Sequence, residues 1–227
     1  MKLSIIVPVL NEAAGIEAAL EALAPLRARG HELLVVDGGS ADGTPALAAP
    51  FADRVLAAPR GRASQMNCGA AAASGDALVF LHADTRLPPE AERRIEAALA
   101  SRRHGWGRFD VRIEGRSRLL ATVAFCMNLR SRLSGIATGD QAMFASRATF
   151  DAVGGFPAIA LMEDIEFSRK AKRISAPACL HARVTTSGRR WEREGVLRTV
   201  VLMWRLRLAY FLGTRPDALA GRYRFKA

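Results

Sequence analysis

Three short apolar runs, residues 3–8, 33–37 and 77–84, recur at helix-length intervals through the first part of the chain, and the last two end in a carboxylate. Their length and their richness in Val, Ile and Leu suit buried strands. The segments between them read differently. Asn11 and Glu12 are expected to open an Ala/Leu/Glu helix running towards Gly30, and residues 63–73 a second helix. A Gly-rich turn over 38–44, a short helix and a brief strand over 54–57 lie between. Strand and helix in alternation imply an α/β fold with a Rossmann-like, mostly parallel central sheet, right-handed crossovers and flanking helices.

After residue 100 the pattern changes. Residues 90–101 form an amphipathic helix, and 106–113 alternate apolar and polar like a half-exposed strand, so a mixed α+β half is expected. No linker, repeat or low-complexity tract divides the 227 residues, which predicts a single domain over 1–227, its stretches being 1–100, 101–190 and a helical tail over 191–227.

The formal charge of +11 points to an anionic partner: nucleic acid, an acidic membrane surface or a phosphorylated substrate. Cys68, Cys126 and Cys179 are odd in number and without C-x-x-C spacing, which suggests neither a disulfide framework nor a zinc site and fits a reducing cytoplasm. The N-terminus enters a strand at once, with no signal-peptide pattern, and no apolar stretch approaches the ~20 residues of a membrane span.

Chemistry gathers at the strand ends. In open α/β sheets, ligands sit in the crevice beyond the carboxyl ends of the strands. Asp37 and Asp84 stand at two such ends, where an aspartate either caps the following turn or holds a ligand. One or two carboxylates are enough for a hard divalent cation that also binds phosphates and water. The glycines after Asp37 allow close approach of an anion. Neither G-x-G-x-x-G nor G-x-x-x-x-G-K-[ST] is present, so neither a dinucleotide fold nor a P-loop is supported.

Residues 4–12, 35–44 and 80–84 together resemble, in order and spacing, the opening signatures of family 2 glycosyltransferases with the GT-A fold. Gly154, Gly155, Phe156 and Pro157, followed by Met162, Glu163, Asp164, Ile165 and Glu166, resemble that family's acceptor-side Glu-Asp segment. The resemblance spans about 190 residues and is nearest to a small bacterial subgroup associated with arsenosugar-type biosynthesis.

This resemblance implies inverting, metal-dependent transfer of a sugar from a nucleotide-diphosphate-sugar donor to an acceptor hydroxyl. Pro8, Glu12, Asp37 and Gly39 would surround base and ribose, Asp84 would hold Mg²⁺ or Mn²⁺ on the diphosphate, and Asp164 would be the general base. Arg62, beside Arg60 and Gly61, would assist the phosphates, as would Arg190 with Trp191 in an Arg-rich segment. Surface turns, or acidic residues placed favourably at a helix start, explain the same patterns. His82 departs from the family, because many relatives carry a carboxylate there. It is expected as a neighbour of the site that cannot supply the missing charge.

The tail, residues 196–212, is an apolar helix punctuated by arginines. Packing on the catalytic body, a homo-oligomer contact and peripheral binding at the inner face of the membrane all suit it. A second apolar stretch, 119–127, is expected in the acceptor wall, the acceptor being a small molecule or lipid-linked. Two rival readings are a catalytically silent, membrane-associated member of the fold and a basic nucleic-acid-binding module. Scattered arginines without an aromatic platform argue against the second, so no nucleic-acid partner is expected.

Overall fold

The computed structural model describes residues 1–101 and 103–224. Its elements are β1 (Leu3–Val9), α1 (Ile16–Glu21), α2 (Ala24–Ala28), β2 (Glu32–Asp37), α3 (Thr44–Ala48), β3 (Arg54–Ala57), α4 (Arg62–Ala72), β4 (Ala77–Phe80), β5 (Thr85–Arg86) and α5 (Ala91–Ala100). There follow β6 (Trp106–Glu114), α6 (Leu119–Ser134), a 3₁₀ turn (Gly139–Gln141), β7 (Met143–Ser146), α7 (Arg147–Val153), α8 (Glu163–Ala171), β8 (Ala178–Ser187), α9 (Arg189–Glu194), α10 (Val196–Phe211) and α11 (Pro216–Arg224).

One eight-stranded sheet runs in the order β3-β2-β1-β4-β7-β6-β8-β5. The first four strands are parallel, as the strand-helix alternation requires. β7 enters antiparallel against β4 and is followed by antiparallel β6, parallel β8 and antiparallel β5. The mixed half expected after residue 100 is therefore built onto the edge of the parallel half. The order of strands reverses at β1, β2 and β3 being added on one side and β4 on the other, which makes the β1/β4 crevice the topological switch point.

Period-two alternation sends side chains to two apolar layers. Ile5, Val7, Leu33, Val35 and Val79 pack on one face, and Ile6, Leu34, Val36, Leu78 and Phe80 on the other. Both faces are covered, which is why the strands read as unbroken apolar runs. Each fully buried Leu, Ile or Val contributes roughly 1.5–3 kcal/mol. α4 approaches the sheet closely because Gly69 has no side chain; a Cβ there would lie 2.5 Å from Ile6 Cγ2.

The helix expected from Asn11 to Gly30 is broken into α1 and α2. Pro25, in the first turn of α2, has no N–H to continue a helix from α1. Residues 11–13 are held elsewhere: Asn11 adopts φ +55°, its Oδ1 accepts from Ala41 N, and Asp42 Oδ2 accepts from Ala13 N. Gly30 does end α2, at φ +88°. β8 was not anticipated from the sequence, and its alternation of half-buried and exposed residues explains why. No helix among the described residues is long and apolar enough to cross a membrane.

Candidate active site

The carboxyl ends of β1 and β4 open into a cavity of about 440 Å³. Pro8, Glu12, Arg62, His82, Asp84, Asp164, Arg190 and Trp191 all line it, so most of the residues singled out from the sequence converge there. Asp37 and Gly39 do not. The Asp37 carboxylate, at the end of β2, accepts from Gly39 N at 2.9 Å, Ser40 N at 3.0 Å and Ser40 Oγ at 2.5 Å, which caps its own turn. That turn flanks the cavity one strand away from β1.

Buried Gln65 holds the floor. Its Nε2 donates to Val9 O at 2.7 Å and to Val36 O at 2.8 Å, bridging the ends of β1 and β2 where the ladder stops. Gly61 begins α4 at φ +142°, a conformation open to glycine and costly for other residues, and it sets Arg60 and Arg62 at the cavity wall. Among the described residues the Arg62 guanidinium has no ion-pair partner within 4.0 Å. Burial works against its charge, but Tyr223, Glu163, Asp140 and Asp164 around it raise its pKa.

The Asp84 carboxylate is exposed towards the cavity. Thr85 and Thr186 hydroxyls approach its Oδ1 at 3.3 and 3.5 Å, and β5 pairing with β8 brings Thr186 there. Glu12 carries a like charge near it: burial first, and then the Asp84 carboxylate, push its pKa up. A cation between the two would relieve that repulsion. The described residues contain no cluster of three or more His, Cys, Asp or Glu side chains suited to a metal. The donor set fits a hard divalent ion whose other ligands come from phosphate and water, and it does not fit a closed all-protein metal cage.

Glu163 and Asp164 are positioned by the Gly-Gly-Phe-Pro turn. Asn67 Nδ2 donates to Phe156 O at 2.8 Å, and Phe156 N donates to Asn67 Oδ1 at 2.9 Å, which ties the turn to α4. Phe156 packs edge-on against Phe80, ring centres 4.8 Å apart, at the end of β4. The chain then reaches Met162, buried at φ +71°, immediately before Glu163 and Asp164. A non-glycine residue in that region is strained and marks a site held by its surroundings. Burial, then the Asp164 charge, raise the Glu163 pKa.

Gly139 joins the two halves. Its N–H donates to Asp164 Oδ2 at 3.0 Å, and its missing side chain makes room for His82: a Cβ would fall 2.5 Å from His82 Nε2. His82 Nδ1 lies 3.4 Å from Asp140 Oδ1. Enclosure by the cavity works to raise the Asp140 pKa, but His82 beside it, with the charges of Arg62 and Arg207, outweighs that and leaves the half-open carboxyl below its usual range. His82, from the loop after β4, thus sits against Gly139 and Asp140 of the 3₁₀ turn, a contact across the two halves of the sheet.

The tail closes the cavity. Thr199, Met203 and Arg207 of α10 and Ala220 and Tyr223 of α11 are in its wall. Tyr223 stacks under the Arg190 guanidinium at 4.0 Å and also bonds it through its hydroxyl, while Glu194 lies 3.4 Å from Arg190 Nε. Arg207 and Tyr223 were not singled out from the sequence. The only signal for Arg207 was an arginine interrupting an apolar helix.

The family model described as "Glycosyl transferase family 2" matches residues 4–122. The chain is 29% identical over 205 residues to an uncharacterized glycosyltransferase of Mycobacterium tuberculosis, covering 84% of this chain and 78% of that one. Among solved structures it superposes on S. aureus TarS in complex with UDP at a TM-score of 0.67 and 20% identity, covering 82% of this chain and 60% of that one. The mannosyltransferase PcManGT from Pyrobaculum calidifontis, in complex with GDP-Man and Mn²⁺, matches at a TM-score of 0.58 and 21% identity, over 97% of this chain and 64% of the other. The chain thus spans less than two thirds of either structural relative, and these likenesses establish the fold as GT-A.

Proposed function

The chain belongs to glycosyl transferase family 2, and from that footing we propose that it transfers a sugar, with inversion, from a nucleotide-diphosphate-sugar donor to an acceptor hydroxyl with the help of a divalent cation. One observation carries this reading: a single cavity gathers Asp84 from the loop between β4 and β5, Asp164 from the start of α8 and the arginines Arg62, Arg190 and Arg207. The UDP complex of TarS and the complex of PcManGT with GDP-Man and Mn²⁺ support a nucleotide-sugar donor and a metal.

In this proposal Pro8, Glu12 and the Asp37–Gly39 turn flank base and ribose, and Trp191 offers an apolar face to the donor. Asp84, with Glu12 near it, would hold Mg²⁺ or Mn²⁺. The bound ion would neutralise charge on the departing diphosphate. Arg62, free of ion pairs among the described residues, meets a phosphate oxygen, and Arg190, braced by Tyr223, meets another.

Asp164 takes the proton of the acceptor hydroxyl. The Gly139 N–H holds its Oδ2 and the Ile165 N–H its Oδ1, at 2.7 Å, which fixes the carboxylate and leaves each oxygen a second lone pair to accept that proton as the hydroxyl attacks from the side away from the diphosphate. Glu163, with its raised pKa, holds its proton longer than an ordinary glutamate and lowers the negative charge beside Asp164. The resemblance to the arsenosugar-associated subgroup directs the first acceptor screens to that chemistry. The three free thiols are in keeping with a cytoplasmic workplace.

The test is calorimetric titration of UDP- and GDP-sugars with and without Mn²⁺, repeated on Asp84→Ala, with the product anomer read by NMR. Metal-dependent donor binding lost in Asp84→Ala, with an inverted product, is the expected result. Donor binding indifferent to both metal and substitution, or a retained anomer, overturns the assignment. Absence of turnover across all donors and acceptors would favour a catalytically silent partner of the same fold.

A further inference from the structure

α10 shows two faces. Thr199, Met203 and Arg207 turn to the cavity, with Leu206 buried behind them. On the opposite side Leu197, Val201, Trp204, Leu208 and Phe211 are 55–71% exposed and recur every three or four residues, so they form one stripe along the helix. The neighbouring α6, which packs against α10, carries a second stripe of exposed Phe125, Leu129 and Leu133, the last at 79%. Paired apolar stripes on adjacent helices exceed the scattered exposed residues of an ordinary surface and mark a contact site.

The charges choose the occupant. Neither helix contains an acidic residue, while Arg130, Arg132, Arg198, Arg205 and Arg207 are all within them. A protein-facing or solvated helix is normally laced with both signs. Arg198 and Arg205 are exposed beside the α10 stripe, and the whole chain carries +11. A helix of 16 residues is too short to cross a bilayer, whose core needs about 20, and suits lying in the plane of its surface.

We propose that α6 and α10 form a docking face for an anionic lipid bilayer, with the apolar stripes at the acyl boundary and Arg198 and Arg205 at headgroup depth. Trp204 sits where an interfacial aromatic is favoured. The cavity then lies behind the docked helix and close to the membrane. This surface is independent of the catalytic assignment, because binding to lipid requires no turnover.

The experiment is co-sedimentation of the full chain with vesicles of phosphatidylcholine alone and of phosphatidylcholine mixed with phosphatidylglycerol. Binding is expected only to the mixed vesicles, and to weaken with salt. Arg198→Gln with Arg205→Gln should weaken it by about 25-fold, at about fivefold for each arginine. Trp204 emission should shift to the blue and be quenched by brominated lipid, a signal absent in Trp204→Phe. Unchanged melting of the arginine variant would show that it folds. Equal partition into both vesicle types, or no binding, overturns the proposal. So does a stable dimer by light scattering that Trp204→Glu dissociates, since the stripe would then belong to a second copy.

Discussion

Gly139→Ala isolates the contact between the two halves of the site. Gly139 does not occupy the left-handed region, so its backbone admits alanine, and the substitution tests space alone. The new Cβ would stand 2.5 Å from His82 Nε2, about 0.9 Å inside the 3.4 Å at which ordinary contact begins. The ring must retreat, yet its other side is held at 3.4 Å from Asp140 Oδ1. Overpacking of this kind costs about 1–3 kcal/mol, and the lower entropy of the unfolded alanine chain returns about 0.4–1 kcal/mol. A net loss of about 1.5 kcal/mol should lower Tm by roughly 3–6 °C for a chain of this size. The functional loss should be larger. Displacing residue 139 moves the N–H that fixes Asp164 Oδ2, and misplacement on the order of 1 Å costs about 100-fold in rate. Donor turnover and thermal melting should be measured for Gly139→Ala, His82→Ala and the double variant. Removing the ring takes away the clash, so the double variant should recover the Tm lost in Gly139→Ala, with a coupling of about 0.5–3 kcal/mol. Full activity and unchanged melting in Gly139→Ala, or additive losses in the double variant, would refute the argument.

Asp164→Asn removes the base and keeps an oxygen for only one of the two N–H groups, of Gly139 and Ile165, that its carboxylate accepts. Turnover should fall about 10²–10⁴-fold while donor affinity by calorimetry stays within twofold. Gly61→Ala forces a side chain into φ +142° and should cost about 1–3 kcal/mol, read as a lower Tm, with weaker donor binding because Arg62 follows it in sequence. Glu163 gives a pH prediction: its pKa is raised in the fold, so the native state keeps its proton when the unfolded chain has lost it. Stability then falls as pH climbs from the ordinary glutamate value through the raised one. Glu163→Gln should therefore melt above the parent at neutral pH, and the difference should vanish when pH is brought below the ordinary glutamate value. A constant difference across that range would contradict the assignment.

The parallel half was legible because its strands are covered on both faces, so residues 3–8, 33–37 and 77–84 stand out as apolar runs whatever follows them. Asp84 and Asp164 could be named because each stands beside an element whose pattern is strong, although β4 itself stops at Phe80 and leaves Asp84 in the loop before β5. β8 could not. Its middle alternates between half-buried and exposed and includes His181 and Arg183, so it reads as surface, yet it carries Thr186 to Asp84. The break between α1 and α2 was written in Pro25 and in Asn11, but the pull of Asp42 and Ala41 on residues 11–13 is a contact across about thirty positions. The Asp37 carboxylate illustrates the opposite limit. Its place at a strand end was correct, while its engagement by Gly39 and Ser40 depends on the turn closing back on it. Tyr223 under Arg190 was invisible for the same reason, since nothing local links a residue near the end of the chain to one 33 positions earlier.

α10 has a consequence for energetics that neither of its sides has alone. Thr199, Met203 and Arg207 form part of the cavity wall, and Trp204 and Leu208, on the same rigid rod, form part of an outward surface. A rotation of the rod by a few degrees alters both at once. Whatever factor a bound ligand applies to the grip of the outer surface, occupation of that surface must apply equally to the ligand's affinity, because the two equilibria close a thermodynamic cycle. Ligand titrations made with and without an outer-surface partner would therefore yield one number twice.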